Sequence, residues 1–430
     1  MVTELRPVVG PDDLRLSELS GLSTLTDPEA LDAFGGDESG LPHVRPGVVV
    51  QARGVGDICT ALAWASHHRV PVTPRGSGTG KAGGCVPSPG GLVLALGAMN
   101  RITAVQPEHG FAEVQPGVLT GSFRAAMEHE HRLFYPPDPA SLDLCSLGGN
   151  VATNAGGPVA LKYGVTGRFV MGVTAVLPDG TVIETGRRQP KDVAGYDLTS
   201  LLVGSEGTLA VIAGIRLALL PVPREIVTVL LEFERLEHAT RAVVDARMGG
   251  VLPRAMEFVG PTALARARTA RPGAFGISAR CGALLLVELD GPEGTTQPLL
   301  QRFLAGLSTS PVAVRHAAST EERSALWETR RQMSTLVKVG SAGWISEDIA
   351  VPLGAIPAVI SRLGEIAERH GVSIATYGHA GDGNLHVNVL WDTPDGASRG
   401  HAATDEVMLH AIEVGGTITG EHGVGLSKRA

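Results

Sequence analysis

Glycine crowds into a few short loops of this chain. It supplies 56 of 430 residues, without the strict period of a collagen, and gathers in four or five loops. A residue with no Cβ lets the backbone approach a partner closely, so repeated glycine loops imply a fold that brings main chain against a ligand several times. The first loop is Pro74-Arg75-Gly76-Ser77-Gly78-Thr79-Gly80-Lys81-Ala82-Gly83-Gly84. Successive glycines there can turn several N–H groups inward as an anion nest suited to a pyrophosphate. Gly78 to Gly83 formally matches GxGxxG, but a Rossmann fingerprint must open a helix and be followed about 20 residues later by an acidic residue. Here Pro87 and Pro89 follow, and Met99-Asn100-Arg101 stands near the acidic position. A P-loop fails as well, because Ala82 replaces the required Ser or Thr. The loop reads as a phosphate cradle of another architecture, or as a glycine-rich surface hairpin.

The rest of the composition narrows the class. A net charge of -8 argues against a nucleic-acid partner, which needs a basic surface. Aromatic residues at 4% leave few platforms for stacking bases. Cys59, Cys85, Cys145 and Cys281 form no CxxC pair and no Cys/His cluster with zinc-finger or iron–sulfur spacing, so they read as buried thiols in a reducing compartment. The N-terminal MVTELRPVVGPDDL lacks a secretory signature, and no apolar run reaches membrane-spanning length. These features point to the cytoplasm, or to the inner face of the membrane as a peripheral protein.

Along the chain, residues 1–40 read as a helical, acidic lead-in. A strand begins at Pro46, Asp57 caps a helix through about His68, and strands follow at Val70–Thr73, Gly91–Leu96, Ile102–Val105 and Phe111–Val114. Thr120–His129 reads as a helix. Tyr135-Pro136-Pro137-Asp138 and Gly148 to Gly157 form a second ligand-like stretch. Asp179-Gly180 joins two strands in a hairpin, and Leu202 to Ile212 is a third glycine stretch. Near Pro221-Val222-Pro223 the texture becomes alternating strand and helix: strands at Glu225–Glu232, Ala283–Leu289, Val312–His316 and Ile349–Pro352, and helices at about Glu237–Arg247, Gln297–Gly306, Glu321–Met333 and Ile356–His370. The expected division is 1–222 and 223–430, the second domain an antiparallel sheet backed by helices.

The stretch Tyr377 to Leu390, YGHAGDGNLHVNVL, combines a loop histidine, a Gly381-Asp382-Gly383 turn and a period-2 run. Asn384, His386 and Asn388 fall on one strand face, and Leu385, Val387 and Val389 on the other. An imidazole between two amides is an unusual solvated face. Each histidine taken alone reads equally as a hydrogen bonder to the backbone.

Five ordered motifs, PRGSGTG, PPDP with LGGNVATNAGG, LLVGSEGTLAVI, YGHAGDGNLHVNV and GEHGVG, together resemble the FAD-linked oxidases of the vanillyl-alcohol-oxidase superfamily. The nearest branch holds the flavoprotein component of glycolate oxidase, D-lactate dehydrogenase and D-2-hydroxyglutarate dehydrogenase. The resemblance implies an α+β chain, a p-cresol-methylhydroxylase-type (PCMH-type) FAD-binding domain followed by a smaller α+β cap domain with an antiparallel sheet and helices. It implies flavin-dependent oxidation of a small D-2-hydroxy acid to the 2-oxo acid. FAD contacts carry over to Arg75, Gly76, Ser77, Gly78, Thr79 and Gly80, and to Asp138, Gly148, Gly149, Asn150, Thr153, Asn154, Glu206, Gly207 and Ile212. A divalent metal, usually zinc, carries over to His379, His386 and Glu421. His422 matches the family's base, with orientation of the metal as its other reading. Arg330, three residues after Trp327, matches the grip on the substrate carboxylate, with a surface helix arginine as the alternative. Ser334 and Asn388 are minor substrate contacts.

Two departures qualify the resemblance. Relatives that oxidise dicarboxylates place a Lys near Ser346, which favours D-lactate or glycolate here over D-2-hydroxyglutarate. Relatives also continue past GEHGVG with a helix and a loop returning to the flavin, so a missing tail is expected. A non-redox transferase of the alkyl-dihydroxyacetone-phosphate synthase type and a non-catalytic flavoprotein subunit of a complex are the other readings. The electron acceptor is open among oxygen, a quinone, a soluble flavoprotein and a separate subunit, and a homodimer is one expected assembly. Thr79 stands where some relatives attach flavin through a histidine, which implies non-covalent FAD. Acid precipitation should therefore release the yellow chromophore to the supernatant; chromophore retained on the pellet refutes this.

Overall fold

The computed structural model describes residues 15–189 and 191–429. The MVTELRPVVGPDDL segment and part of the expected lead-in lie outside the described residues. The described lead-in is mostly irregular, with a 3-10 turn at Leu16–Leu19 and a five-residue helix at Pro28–Asp32. Its Pro, Gly, Asp and Ser favour caps and turns over helix interiors. Among the described residues no helix is long and apolar enough to cross a membrane.

The chain forms two compact units that are not contiguous in sequence. One comprises the chain up to Gly156, Val165–Val222 and His422 onward; the other comprises Gly157–Gly164 and Pro223–Glu421.

The first unit holds β1 (Thr24–Leu25), β2 (Val48–Gln51), β3 (Val72–Arg75) and β4 (Leu92–Ala95) in a sheet ordered β1-β2-β4-β3. The pairings β2–β4 and β3–β4 are parallel. Parallel strands of one sheet need a crossover, and the helix Val55–His68 provides it from β2 to β3, which flank β4. Gly54 is its N-cap, not Asp57; the Asp57 carboxylate sits in the first turn and accepts from the Arg53 N–H at 2.9 Å. A second, antiparallel sheet is formed by β5 (Ile102–Gln106), β6 (Phe111–Val114), β8 (Val170–Val176), β9 (Val182–Glu184) and β10 (Val211–Ala218), in the order β5-β6-β10-β8-β9. Between β8 and β9, Gly180 adopts φ +88 as the Asp179-Gly180 turn requires. The short β7 (Leu133–Phe134) pairs with β11 (Leu220–Pro221). Val48, Leu94, Ile58, Leu62, Val176 and Val211 close one core across both sheets and the helix.

The second unit is one seven-stranded antiparallel sheet: β12 (Glu225–Phe233), β13 (Ala255–Val259), β14 (Ala283–Gly291), β15 (Ala313–His316), β16 (Gly343–Ala350), β17 (Ser373–His379) and β18 (Asn384–Trp391), ordered β15-β12-β14-β13-β17-β18-β16. Alternation divides its residues between two faces. On one face Leu231, Phe258, Leu285, Val287, Leu385, Val387 and Val389 pack with the apolar sides of the helices Leu236–Met248, Thr296–Ala305, Ile356–His370 and Ala397–Glu413. Each fully buried Leu or Val there contributes about 1.5–3 kcal/mol. The other face carries a smaller core, with Leu284, Leu286, Tyr377 and Leu390, and the polar residues described below. β16 begins at Gly343, ahead of the strand expected from Ile349, and β13 has no counterpart among the expected strands. Ser346, Glu347 and Asp348 lie inside β16, where their polarity hides a strand whose partner is fully paired from Gly343↔Trp391 to Ala350↔Asn384.

Gly157–Gly164 joins this unit through buried charge. Asp290 on β14 accepts from the Tyr163 hydroxyl at 2.6 Å and from Arg254 Nη1 at 2.9 Å, and ion-pairs with Lys162. Glu288, two residues earlier on the same face, takes Arg323 Nε, Trp327 Nε1 and the Thr228 hydroxyl on one oxygen, each at 2.6 Å. Burial raises the Asp290 pKa, but Lys162, Tyr163 and Arg254 outweigh it and hold the carboxyl below its ordinary value. Its contribution to stability is therefore present above the ordinary carboxylate pKa and is lost as pH falls through the lowered one. Asp290→Asn, which leaves Lys162 without its counter-charge and Arg254 with Glu288 alone, is expected to cost up to about 3–5 kcal/mol at neutral pH. Urea unfolding followed by tryptophan fluorescence checks this, and the difference from wild type should shrink in acid.

Candidate active site

The strand pair β17–β18 builds the site. Its register sets Tyr377 opposite His386, Ala375 opposite Asn388 and His379 opposite Asn384. These residues share the face opposite the large apolar core. The turn between the strands closes through Asp382 N–H to His379 O at 3.2 Å and Asn384 N–H to the Asp382 carboxylate at 3.2 Å. Gly383 sits at φ +89, and a Cβ there would lie 2.2 Å from Val351 O, so this turn position demands glycine.

The His379 and His386 rings meet edge to face, with centroids 5.2 Å apart. Glu421 joins them: its Oε1 is 3.5 Å from His379 Nε2 and 3.6 Å from His386 Nε2. One ligand atom from each of the three lies within 4.8 Å of the others. The two separations are too long for good hydrogen bonds. They are close to the ~3.4 Å that bonds of about 2.1 Å impose at a tetrahedral angle. Two imidazoles and a carboxylate are a donor set suited to a catalytic divalent metal with an open position, so the residues fit such an ion.

A second strand places Glu421. Asp348 of β16, opposite His386 and fully buried, accepts from Glu421 N–H at 2.6 Å, Gly420 N–H at 2.8 Å and the Thr419 hydroxyl at 3.2 Å. Ala350 and Thr417 form a two-way backbone bridge just before it. A third strand places His379. Its Nδ1 lies 2.7 Å from Glu257 Oε1, and Glu257 Oε2 lies 2.6 Å from Arg330 Nη2. Glu257 is wholly buried; burial raises its pKa, but Arg330 and His379 outweigh this and hold it low. Burial works against a charge on His379 too, yet Glu257 and Glu421 raise its pKa well above the usual imidazole value.

Arg330 is buried, not a surface residue, and its guanidinium stacks 4.9 Å from the Tyr377 ring centroid. Asn388 accepts from the Ser346 hydroxyl at 2.8 Å across the β18–β16 pair. Ser334 accepts from Lys338 Nζ at 3.4 Å. His422 follows Glu421 in sequence and falls with the first unit. Neither Glu257 nor Asp348 is singled out by the sequence motifs. Glu257 has a legible signal in hindsight, a single carboxylate inside the apolar run Ala255-Met256-Glu257-Phe258-Val259.

In the first unit, Arg75 ends β3 and donates from Nη1 to Gly36 O at 2.6 Å. Gly76 opens the loop that continues through Ser77, Gly78, Thr79 and Gly80. A Cβ on Gly76 would fall 2.4 Å from Ser146 Oγ, so this loop seats on the segment that begins the helix Leu147–Thr153. That helix holds Gly148, Gly149, Asn150 and Thr153. Asn150 donates to Thr120 Oγ1 at 2.7 Å, and Asn154 closes the helix and accepts from Gly167 N–H at 2.8 Å. Asp138 lies in the irregular stretch before it. Glu206 accepts from Val424 N–H at 2.9 Å and Gly425 N–H at 2.7 Å, so its carboxylate anchors the last described segment. A cavity of about 840 Å³ lies between Pro74, Gly84, Glu206, Gly207, Val211 and Gly425, and Ile212 continues into β10. That volume suits a nucleotide-sized ligand; of the residues carried over as FAD contacts, Glu206 and Gly207 line it, while the Arg75–Gly80 loop and the helix Leu147–Thr153 do not. The four cysteines are unpaired; Cys145 and Cys281 are buried, while Cys59 and Cys85 are half-buried.

Two family descriptions match the chain. Residues 46–186 match the family described as FAD binding domain, and residues 222–430 match FAD linked oxidases, C-terminal domain. The chain is 41% identical over 387 residues to the glycolate oxidase subunit GlcD of Bacillus subtilis, covering 89% of this chain and 82% of that protein. It is 31% identical over 425 residues to a D-lactate dehydrogenase of Anaerostipes hadrus, covering 96% and 89%. Among solved structures, p-cresol methylhydroxylase with substrate bound superposes with a TM-score of 0.78 at 14% identity, covering 96% of this chain and 88% of that one. Alkyldihydroxyacetonephosphate synthase superposes with a TM-score of 0.76 at 17% identity, covering 97% and 84%. At those identities the two structures establish the fold.

Asp348→Ala removes the acceptor for two loop amides. It is expected to lower hydrogen-exchange protection at Gly420 and Glu421 about tenfold or more, in line with the roughly 1–3 kcal/mol cost of an unsatisfied donor. Exchange measured residue by residue checks this; unchanged protection would remove Asp348 from the support of Glu421.

Proposed function

The chain belongs to the FAD-linked oxidases of the PCMH type, in the branch of GlcD and D-lactate dehydrogenase, and on that premise we propose that it oxidises a small D-2-hydroxy acid, D-lactate or glycolate, to the 2-oxo acid. The observation that carries the reading is the convergence of His379, His386 and Glu421 on the sheet face that also buries Arg330. The names of the relatives support the substrate class. Oxidation of the CH–OH group removes two electrons and two protons. When bound, FAD supplies the electron sink, and a divalent ion, zinc by the donor set, supplies positive charge that can bring the pKa of a coordinated water from about 15.7 to about 7.

The chain's own residues do the rest. Arg330 binds the substrate carboxylate, since a guanidinium offers a planar fork of donors. His422 takes the hydroxyl proton, a role an imidazole fills near neutral pH. Asn388 and Ser346 form a neutral, hydrogen-bonded pair. Such a wall offers no cation to a second carboxylate, which supports a monocarboxylate. The loop from Arg75 to Gly80, with Asp138, Gly148 to Asn150, Thr153, Asn154, Glu206, Gly207 and Ile212, forms the non-covalent FAD site. Ser334 is a minor substrate contact by the same reading.

A panel of D- and L-2-hydroxy acids with an artificial dye tests the proposal. D-lactate or glycolate should bleach the flavin anaerobically and reduce the dye. Chelation or His386→Ala should lower turnover at least 100-fold with FAD retained. A flavin that no hydroxy acid bleaches would turn the assignment toward a non-redox or non-catalytic flavoprotein. Undiminished turnover after verified metal removal would sink the metal-assisted mechanism.

A further inference from the structure

The sheet face around the histidines carries a charge that packing alone does not call for. Glu257 is on β13, an interior strand, and is fully buried. Its partner across the β13–β14 pair is Leu286, and the next residue on its own face is Val259. An apolar side chain there would continue that surface. A buried carboxylate is costly unless well paired, and replacing a buried ion pair by apolar groups often leaves stability unchanged or higher. Packing therefore does not account for this residue, and what it touches points to its use.

The β13–β17 register pairs Phe258 with Gly378 and Val259 with Tyr377. One further step brings Glu257 beside His379, and its Oε1 meets His379 Nδ1 at 2.7 Å. A carboxylate oxygen accepts, so Nδ1 carries the proton. The other ring nitrogen, Nε2, is then the one that faces Glu421. Arg330 supplies the counter-charge at 2.6 Å that lets Glu257 remain a carboxylate away from water. Arg330 Nε has no hydrogen-bond partner among the described residues, so pairing with Glu257 leaves the guanidinium with open donors.

We propose that Glu257 is a positioning residue of the metal centre: it fixes the tautomer and ring orientation of His379 so that Nε2 is presented as a donor together with His386 and Glu421. This rests on the metal-assisted reading above. Outer carboxylates that hold a ligating imidazole typically change metal affinity by about 10–100-fold when removed.

Cobalt(II) is the probe, titrated into flavin-loaded protein from which metal has been removed and followed by its visible absorption. Wild type should bind with a defined band, and His386→Ala should abolish it. Glu257→Gln should weaken binding about 10–100-fold and Glu257→Asp should restore part of it. The visible band of the cobalt that does bind should shift in Glu257→Gln, because the effect acts through the His379 ring. A merely structural role would lower the amount bound and leave that band unchanged. Should Glu257→Gln fail to fold, the double variant Glu257→Leu with Arg330→Met carries the comparison. It is expected to melt no lower than wild type and still to bind cobalt about 10–100-fold more weakly. Wild-type affinity in Glu257→Gln, or in the double variant, alongside lost binding in His386→Ala overturns the role of Glu257 and leaves the metal reading standing. Absent binding in wild type, or binding unaffected by His386→Ala, overturns the metal reading itself.

Discussion

The register of β17 against β18 is the constraint on which the second unit depends. It puts Leu385, Val387 and Val389 into the helix-backed core and His386 and Asn388 on the opposite face. A slip of one residue would exchange the two sets, burying an imidazole among aliphatic side chains and exposing three apolar residues. The Gly383 turn holds that register, since no side chain fits against Val351 O. The same pairing fixes where His379 can stand, at the end of β17 and beside the interior strand that carries Glu257.

Buried carboxylates then hold in place what the register alone leaves loose. Asp290 fastens Gly157–Gly164 to the sheet through Tyr163 and Lys162, with Arg254 as a further counter-charge. Asp348 gathers the amides of Gly420 and Glu421 and so aims the Glu421 carboxylate from its own backbone. Glu257 orients an imidazole and neutralises Arg330. Each is costly to bury, and each is held by donors or cations from a loop segment or from a side chain of the site. The polar face of the sheet is organised from within by these groups, while the opposite face is held by area burial.

The first unit works by a different means. Its glycine loops carry little side-chain chemistry, and their role is close approach of main chain, as where Gly76 seats against Ser146. Glu206 illustrates how a motif residue can serve the fold. Both of its oxygens are taken by amides of the last described segment, so it supports the cavity wall more than it offers a free acid.

Much of this was legible from the residues. Period-2 alternation assigned the two faces of β18, glycine clustering marked loops where main chain packs closely, and helices such as Ile356–His370 follow from apolar periodicity. The texture change near Pro221 and the motif order pointed to a flavin oxidase with a helix-backed antiparallel sheet. These are local properties, written in patterns a few residues long. The start of β16, the strand β13 and the roles of Glu257 and Asp348 were not legible. A carboxylate inside a strand reads as a break until its partner is known, and those partners lie 122 residues away for Glu257 and His379 and 73 for Asp348 and Glu421. The sequence alone determined which residue types were available and which face each would share. Only the tertiary structure decided which of them meet, because that depends on strand order, which brings β13, β17, β18 and β16 side by side from distant parts of the chain.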